Sequence, residues 1–324
     1  LQPGDLCRPA AIAGLGQIAF RAGDHTNAIA LLKEAVDLNG GKAITDPGAV
    51  DSLGRAYASA GSRELAIALF ESAVTECKAA DAPLEQLRFS ILLANALIDN
   101  GAFADAERTL AEVIQIAERL PDPIMSARVL WSQSRLHGLR GEAPLAAKYA
   151  RRALDILERT EQTTYVGMAY HLLAFAEIES GQGDQALETL ARGRALFGGE
   201  LTKAGDARFS IEEARALVLT GQVNEAARAA SVAFELVDEL SPGDRGGAYV
   251  ALGDVFRASG DLGRARMLYE QGLELVLEHN RGRALEAGRK YADLLEADGD
   301  TAGALRVLRL ATDLSPAQAT VRPA

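Results

Sequence analysis

This chain of 324 residues has little with which to do covalent or metal chemistry. Its two cysteines, Cys7 and Cys77, share no metal spacing and are too few for a disulfide framework. Two thiols of that kind point to a reducing compartment, and the expected location is the cytoplasm. The four histidines, His25, His137, His171 and His279, are scattered. None lies in an HExxH pair, a Cys/His cluster or a nucleophile elbow. No phosphate-loop motif occurs, and Gly181-Gln182-Gly183 does not follow a strand. The expectation is therefore a protein without catalytic residues, cofactor or metal. The longest apolar runs, such as Ile91 to Ile98, are far too short to cross a membrane, and no signal peptide is visible. A net charge of −11 disfavours nucleic acid as a partner. Aromatic residues make up only 5% of the chain and prolines number ten, a composition that suits helices.

What the chain does have is a period. Gly23, Gly61, Gly101, Gly141, Gly181, Gly221, Gly260 and Gly299 follow one another at steps of 38, 40, 40, 40, 40, 39 and 39 residues. Five residues after each stands an alanine: Ala28, Ala66, Ala106, Ala146, Ala186, Ala226, Ala265 and Ala304. Seven residues before each the side chain is small, from Gly16 and Gly54 to Gly253 and Ala292. A fixed period of this length marks a stacked array of one supersecondary unit, in which each unit touches only its neighbours. Each unit reads as two helices joined at its glycine, where a left-handed backbone costs a glycine nothing. The small residues mark where the paired helices come closest. Asn39-Gly40-Gly41, Pro121-Asp122-Pro123, Gly198-Gly199 and Ser241-Pro242-Gly243 stop helices between units.

Leu53-Gly54, Tyr57, Ala66, Phe70 and Ala73 resemble the tetratricopeptide signature, and Leu252-Gly253, Phe256, Ala265 and Tyr269 match it nearly as well. Gln133-Ser134, with His137 at the aromatic position, and Glu213-Ala214 are weak matches carried by the period. The resemblance implies an all-α, right-handed α-solenoid of about eight antiparallel helix pairs over residues 8–314. The units are longer than the usual repeat and are similar to those in sensor domains of bacterial transcription regulators, MalT-like or peptide-responsive. Residues 1–7 then read as the exit of a truncated upstream repeat or a leader, since Leu1-Gln2-Pro3-Gly4-Asp5 nearly duplicates Leu240-Ser241-Pro242-Gly243-Asp244. Residues 315–324 read as a flexible tail.

In that fold the first helix of each pair lines the concave side. Positions 13, 10 and 6 before each turn glycine fall on one stripe. Across the four central units the stripe holds Arg88, Asn95, Arg128, Trp131, Arg135, His171, Phe175, Arg208 and Arg215, and no carboxylate. Arginine forks bind carboxylates, and Trp131 and Phe175 offer rigid apolar contact. The resemblance implies that Asn95, Arg88, Arg128 and Arg135 can hold an extended peptide.

The expected function is non-catalytic recognition of a protein or peptide segment, acidic or C-terminal, in this groove, as the effector-sensing part of a regulator. Two alternatives stand beside it. One is a scaffold that docks partners by its convex face or ends. The other is a small-molecule sensor with an enclosed pocket around Trp131 and His171. Local pairing of Arg208 and Arg215 with Glu212, or of Arg88 with Glu85, and packing of Trp131 between units would give the same residues a structural role. A homo-oligomer formed through the solenoid ends is a further expectation, and no membrane partner is.

Overall fold

The computed structural model describes residues 8–120, 122–160, 163–197 and 201–313. Cys7, Pro121, Gly198, Gly199, the upstream exit at 1–7 and the tail at 315–324 lie outside them. The described residues form sixteen α-helices and no strand. The first repeat pairs α1 (Arg8–Arg21) with α2 (His25–Leu38), the second α3 (Pro47–Ser59) with α4 (Arg63–Ala79), and the third α5 (Pro83–Asp99) with α6 (Phe103–Ala117). Then come α7 (Pro123–Leu139) and α8 (Ala143–Leu157), α9 (Thr163–Glu179) and α10 (Gly183–Ala195), and α11 (Lys203–Leu219) and α12 (Val223–Glu235). The last two pairs are α13 (Pro242–Ala258) with α14 (Leu262–His279) and α15 (Ala284–Ala297) with α16 (Thr301–Asp313). Short 3-10 turns at Val237–Glu239 and Arg281–Arg283 precede α13 and α15.

The eight turn glycines all have φ between +74° and +84°. At Gly23, Gly141, Gly181, Gly221, Gly260 and Gly299 an added Cβ would meet nothing within 4 Å. Backbone conformation, not crowding, is therefore what those positions demand. The residue after the glycine donates its N–H back to the helix it has just left, as Asp24 does to Ala19 and Asp261 to Phe256. This bond satisfies a carbonyl that the helix end would otherwise orphan. Aspartates at Asp24, Asp46, Asp122 and Asp261 cap the helices that follow them.

Within a repeat the helices meet through the ladder of small residues. Ala28, Ala66, Ala106, Ala186, Ala226 and Ala265 are fully buried. A Cβ added at Gly16 would lie 2.7 Å from Leu32, at Gly54 2.2 Å from Phe70, and at Gly253 2.8 Å from Tyr269. Each glycine thus makes room for a large side chain on its partner helix. The weak repeats keep the geometry with other chemistry. Ser134 donates a 2.9 Å hydrogen bond to the Ala146 carbonyl. His137 contacts Glu142 at 2.5 Å and stacks on Tyr149. Glu177, at the same place one repeat later, is fully buried and accepts from Thr189 and Arg151. Polar partners replace the aromatic there, which is why the signature fades while the fold does not.

The chain falls into two compact units. The first holds α1 to α4, together with α5 and α6 apart from residues 98–103. The second holds residues 98–103 and α7 to α16. In the second unit each first helix packs on the first helix of the next repeat, α7 on α9, α9 on α11, α11 on α13 and α13 on α15. Those contacts place the stripe residues of five successive repeats side by side.

Candidate functional site

In the first unit, Arg88 on α5 donates to Asp51 on α3 through Nε (3.2 Å) and Nη2 (2.9 Å). Asp51 also pairs with Arg55 at 2.8 Å. The Asn95 amide donates to the Ile91 carbonyl of its own helix at 3.0 Å.

In the second unit, Trp131 on α7 is half-buried and packs on the apolar cluster of α7, α8 and α9. Arg128, one turn earlier, points Nη1 at the Met125 sulfur, 3.8 Å away. Arg135 donates to Asp99, the last residue of α5, at 2.6 Å. Further along, a cleft of about 80 Å³ is lined by His171 and Phe175 of α9, Arg208, Ile211, Glu212 and Arg215 of α11, Asp244, Gly247, Ala248 and Ala251 of α13, and Arg283, Glu286 and Lys290 at α15, with Leu240 at its edge.

Its charges are arranged in pairs between consecutive first helices. Arg208 donates to Asp244 at 2.8 Å, Arg215 to Glu179 and, on its own helix, to Glu212 at 2.7 Å, and Lys290 to Asp254 at 2.6 Å. His171 leans on the Phe209 ring, with its Nε2 4.0 Å from Glu212. Burial holds the His171 pKa below its ordinary value against the pull of Glu212, so the ring is neutral at pH 7. Burial would likewise disfavour the Arg215 cation, but Glu212 and Glu179 outweigh it and raise its pKa. Burial raises the Glu286 carboxyl, but Lys290 and Arg283 outweigh that and bring it down to about 2. Arg215 and Arg283 both lie over the Phe175 ring, at 5.5 and 5.6 Å from its centroid.

A family model of the tetratricopeptide repeat matches residues 10–41. A Rap protein complexed with competence and sporulation factor superposes with a TM-score of 0.69, covering 90% of this chain and 78% of that one at 15% identity. Residues 10–41 thus match a tetratricopeptide repeat, and the fold is a tetratricopeptide-like solenoid. The apo form of RapI gives a TM-score of 0.63 at 16% identity, over 82% of this chain and 97% of that one. NprR in complex with its cognate peptide NprX gives 0.53 at 14% identity, over 70% and 66%. At such identities the likeness is one of fold. No curated protein sequence matches the chain.

The array departs from the bare basic strip that the three stripe positions imply. Arg88, Arg135, Arg208 and Arg215 each pair with a carboxylate 36 or 37 residues away, one repeat along. Asp51 stands on the stripe of the neighbouring repeat, whereas Asp99, Glu179 and Asp244 sit off it, near helix ends, where a three-position reading does not look. The local pairings expected of Arg88 with Glu85 and of Arg208 with Glu212 are replaced by Asp51 and Asp244. The local pairing of Arg215 with Glu212 is present. The residues differ in availability. The Arg215 side chain is 9% exposed and held by two carboxylates, so it stitches α9 to α11. Arg208 and Asp244 are 38% and 52% exposed, a pair that solvent and ligand can both reach. Sequence reasoning missed Asp244, Arg283 and Lys290, while Glu286 stands on the stripe of the last repeat. A search at one repeat length for opposite charges on first helices finds Asp244 and Lys290. Among the described residues no group of three metal-ligating side chains comes together, and no helix is long and apolar enough to cross a membrane.

Proposed function

We propose that this chain is a non-catalytic receptor for a peptide or protein segment, bound along the first helices of the second unit, and that it serves as the effector-sensing part of a regulator. The observation that carries this reading is the exposed Arg208–Asp244 pair beside Phe175 and His171. A surface ion pair holds its members by only about 0–1 kcal/mol. An acidic residue or free C-terminal carboxylate of a ligand can therefore take over Arg208. Arg128, Arg135 and Trp131 extend the same role along α7, and Arg88 and Asn95 do so within the first unit. Proteins of like fold bear on the reading through what they hold: one Rap structure contains competence and sporulation factor, and NprR contains NprX. The cytoplasm is the expected location.

The test is a titration with a library of short fluorescein-labelled peptides, acidic and neutral, free and amidated at the C-terminus, read by anisotropy in the wild type and in each variant. Binding that weakens on Trp131→Phe, on Arg208→Ala and in added salt supports the reading. Binders indifferent to all three would move the working surface elsewhere. One observation favours the scaffold alternative. A larger open groove of about 670 Å³ runs between α14, α15 and α16, lined by Leu273, Leu277, Tyr291, Leu295, Val307 and Leu310 among others. Leu305 and Leu310 of α16 are about half exposed, which also fits self-association through the end of the array.

A further inference from the structure

Two guanidinium groups lie over the Phe175 ring, and they are not held alike. Arg215 is bound by Glu212 and Glu179 and is nearly buried. Arg283 comes from the 3-10 turn before α15, and its carboxylate contact, Glu286, is 3.8 Å away. Glu286 itself is closer to Lys290, at 3.0 Å. The Arg283 side chain runs over Gly247, where an added Cβ would stand 3.2 Å from its Cδ. Beside it, Gly282 sits so near the Ile98 carbonyl that a Cβ would come within 2.3 Å of the oxygen. The turn therefore lies across the cleft, with its arginine laid on the aromatic floor and only a small space left.

Charge tells what the floor prefers. Without Arg283, the pairs around the cleft set Glu179, Glu212, Asp244, Asp254 and Glu286 against Arg208, Arg215 and Lys290. The neutral His171 does not close the difference. A group that replaces Arg283 over Phe175 is favoured if it is a cation, both by the ring and by the surplus carboxylates.

The geometry points to a subsite for a guanidinium or ammonium group at Phe175, filled in the free chain by Arg283 and, in the complex, by an arginine or lysine of the bound segment. The inference rests on the reading of this cleft as a peptide site. It makes the ligand dipolar, with a carboxylate for Arg208 and a cation for Phe175. It also makes the Arg281–Arg283 turn an internal competitor that binding must displace.

The test uses two fluorescein-labelled probes, tetra-arginine and tetra-glutamate, read by anisotropy. If Arg283 fills the subsite about nine-tenths of the time, its removal raises apparent affinity about tenfold. Arg283→Ala is thus expected to bind tetra-arginine about tenfold more tightly than the wild type, with no gain for tetra-glutamate. Arg289→Ala makes the same charge change at an exposed position of α15 and is expected to leave binding within about twofold. Adding Phe175→Leu to Arg283→Ala is expected to remove the gain. In the wild type, tetra-arginine is expected to speed hydrogen exchange at residues 281–284. Equal gains in Arg283→Ala and Arg289→Ala, a gain that survives Phe175→Leu, or a gain for tetra-glutamate would each overturn the subsite. Should the probes behave as expected while no library peptide binds, the peptide reading falls and the subsite stands. Should library peptides bind while the probes do not discriminate, the subsite alone falls.

Discussion

Gly54→Ala puts the packing logic of the array to a quantitative test. The position lies inside α3, where exchanging glycine for alanine should by itself stabilise a helix by about 1 kcal/mol. The new Cβ, however, would lie 2.2 Å from Cζ and 2.4 Å from Cε1 of Phe70, whose ring is buried. An ordinary contact needs about 3.5–4 Å, so the ring or the helix must give by more than an ångström. Overpacking of this kind costs about 1–3 kcal/mol, which the propensity gain offsets in part. At an approach of 2.2 Å the cost falls in the upper part of that range, about 2–3 kcal/mol, and the net expectation is a loss of about 1–2 kcal/mol. The chain contains its own control. Where alanine stands seven residues before the turn, as at Ala94, Ala174 and Ala214, the facing residue sixteen positions on is Leu110, Leu190 or Ala230, never an aromatic. Phe70→Leu should therefore cost under about 1.5 kcal/mol alone and should rescue Gly54→Ala. A double-mutant cycle read from urea midpoints should return a favourable coupling of about 1 kcal/mol or more. Gly14→Ala, where a Cβ meets nothing within 4 Å, should gain stability. If Gly54→Ala is neutral, or if the two substitutions simply add, close approach at Gly54 is not what sets the spacing of α3 and α4.

Other expectations follow from single contacts. Ala186 is fully buried, so Ala186→Leu should lower the denaturation midpoint by an amount equivalent to about 1–3 kcal/mol, and an unchanged midpoint would place it off the helix interface. Arg215→Ala strands Glu212 and Glu179 and should destabilise by about 3–5 kcal/mol, whereas Arg208→Ala should cost about 1 kcal/mol or less; equal losses would contradict the difference in exposure. The lowered pKa of His171 comes from burial, with Arg208 and Arg283 acting the same way and Glu212 and Asp244 opposing. The unfolded chain then takes up the proton first, so this contribution is present above about pH 6.5 and is lost as pH falls below it. Urea midpoints at pH 7.5 and 5.5 should converge more in His171→Gln than in the wild type; parallel slopes would show that His171 is not held neutral.

The fold was legible because its determinants repeat. A glycine at positive φ, an alanine five residues on and a small residue seven before are each forced by local geometry, and eight copies make the pattern plain in the absence of any strong single motif. The weak repeats were carried by that register, and the structure shows why register was enough: Ser134, His137 and Glu177 find polar partners without moving a helix. The chemistry of the candidate site was only half legible. A stripe of three positions per helix located Arg88, Arg135, Arg208 and Arg215, but of their partners only Asp51 stands on it; Asp99, Asp244 and Glu179 stand at other positions of the neighbouring repeat. Sequence spacing within one helix reveals pairs at three or four residues; it is blind to a pair at 36 unless the array's own period is used as the search step. Applied that way, the period that identifies the fold also predicts the ion pairs, since a solenoid brings to one contact the residues that stand about one repeat apart. Arg283 escapes even this rule. It meets Phe175 three repeats away through the curvature of the second unit and through a turn whose path is set by Gly247 and Gly282, and neither the period nor any helical face places it there.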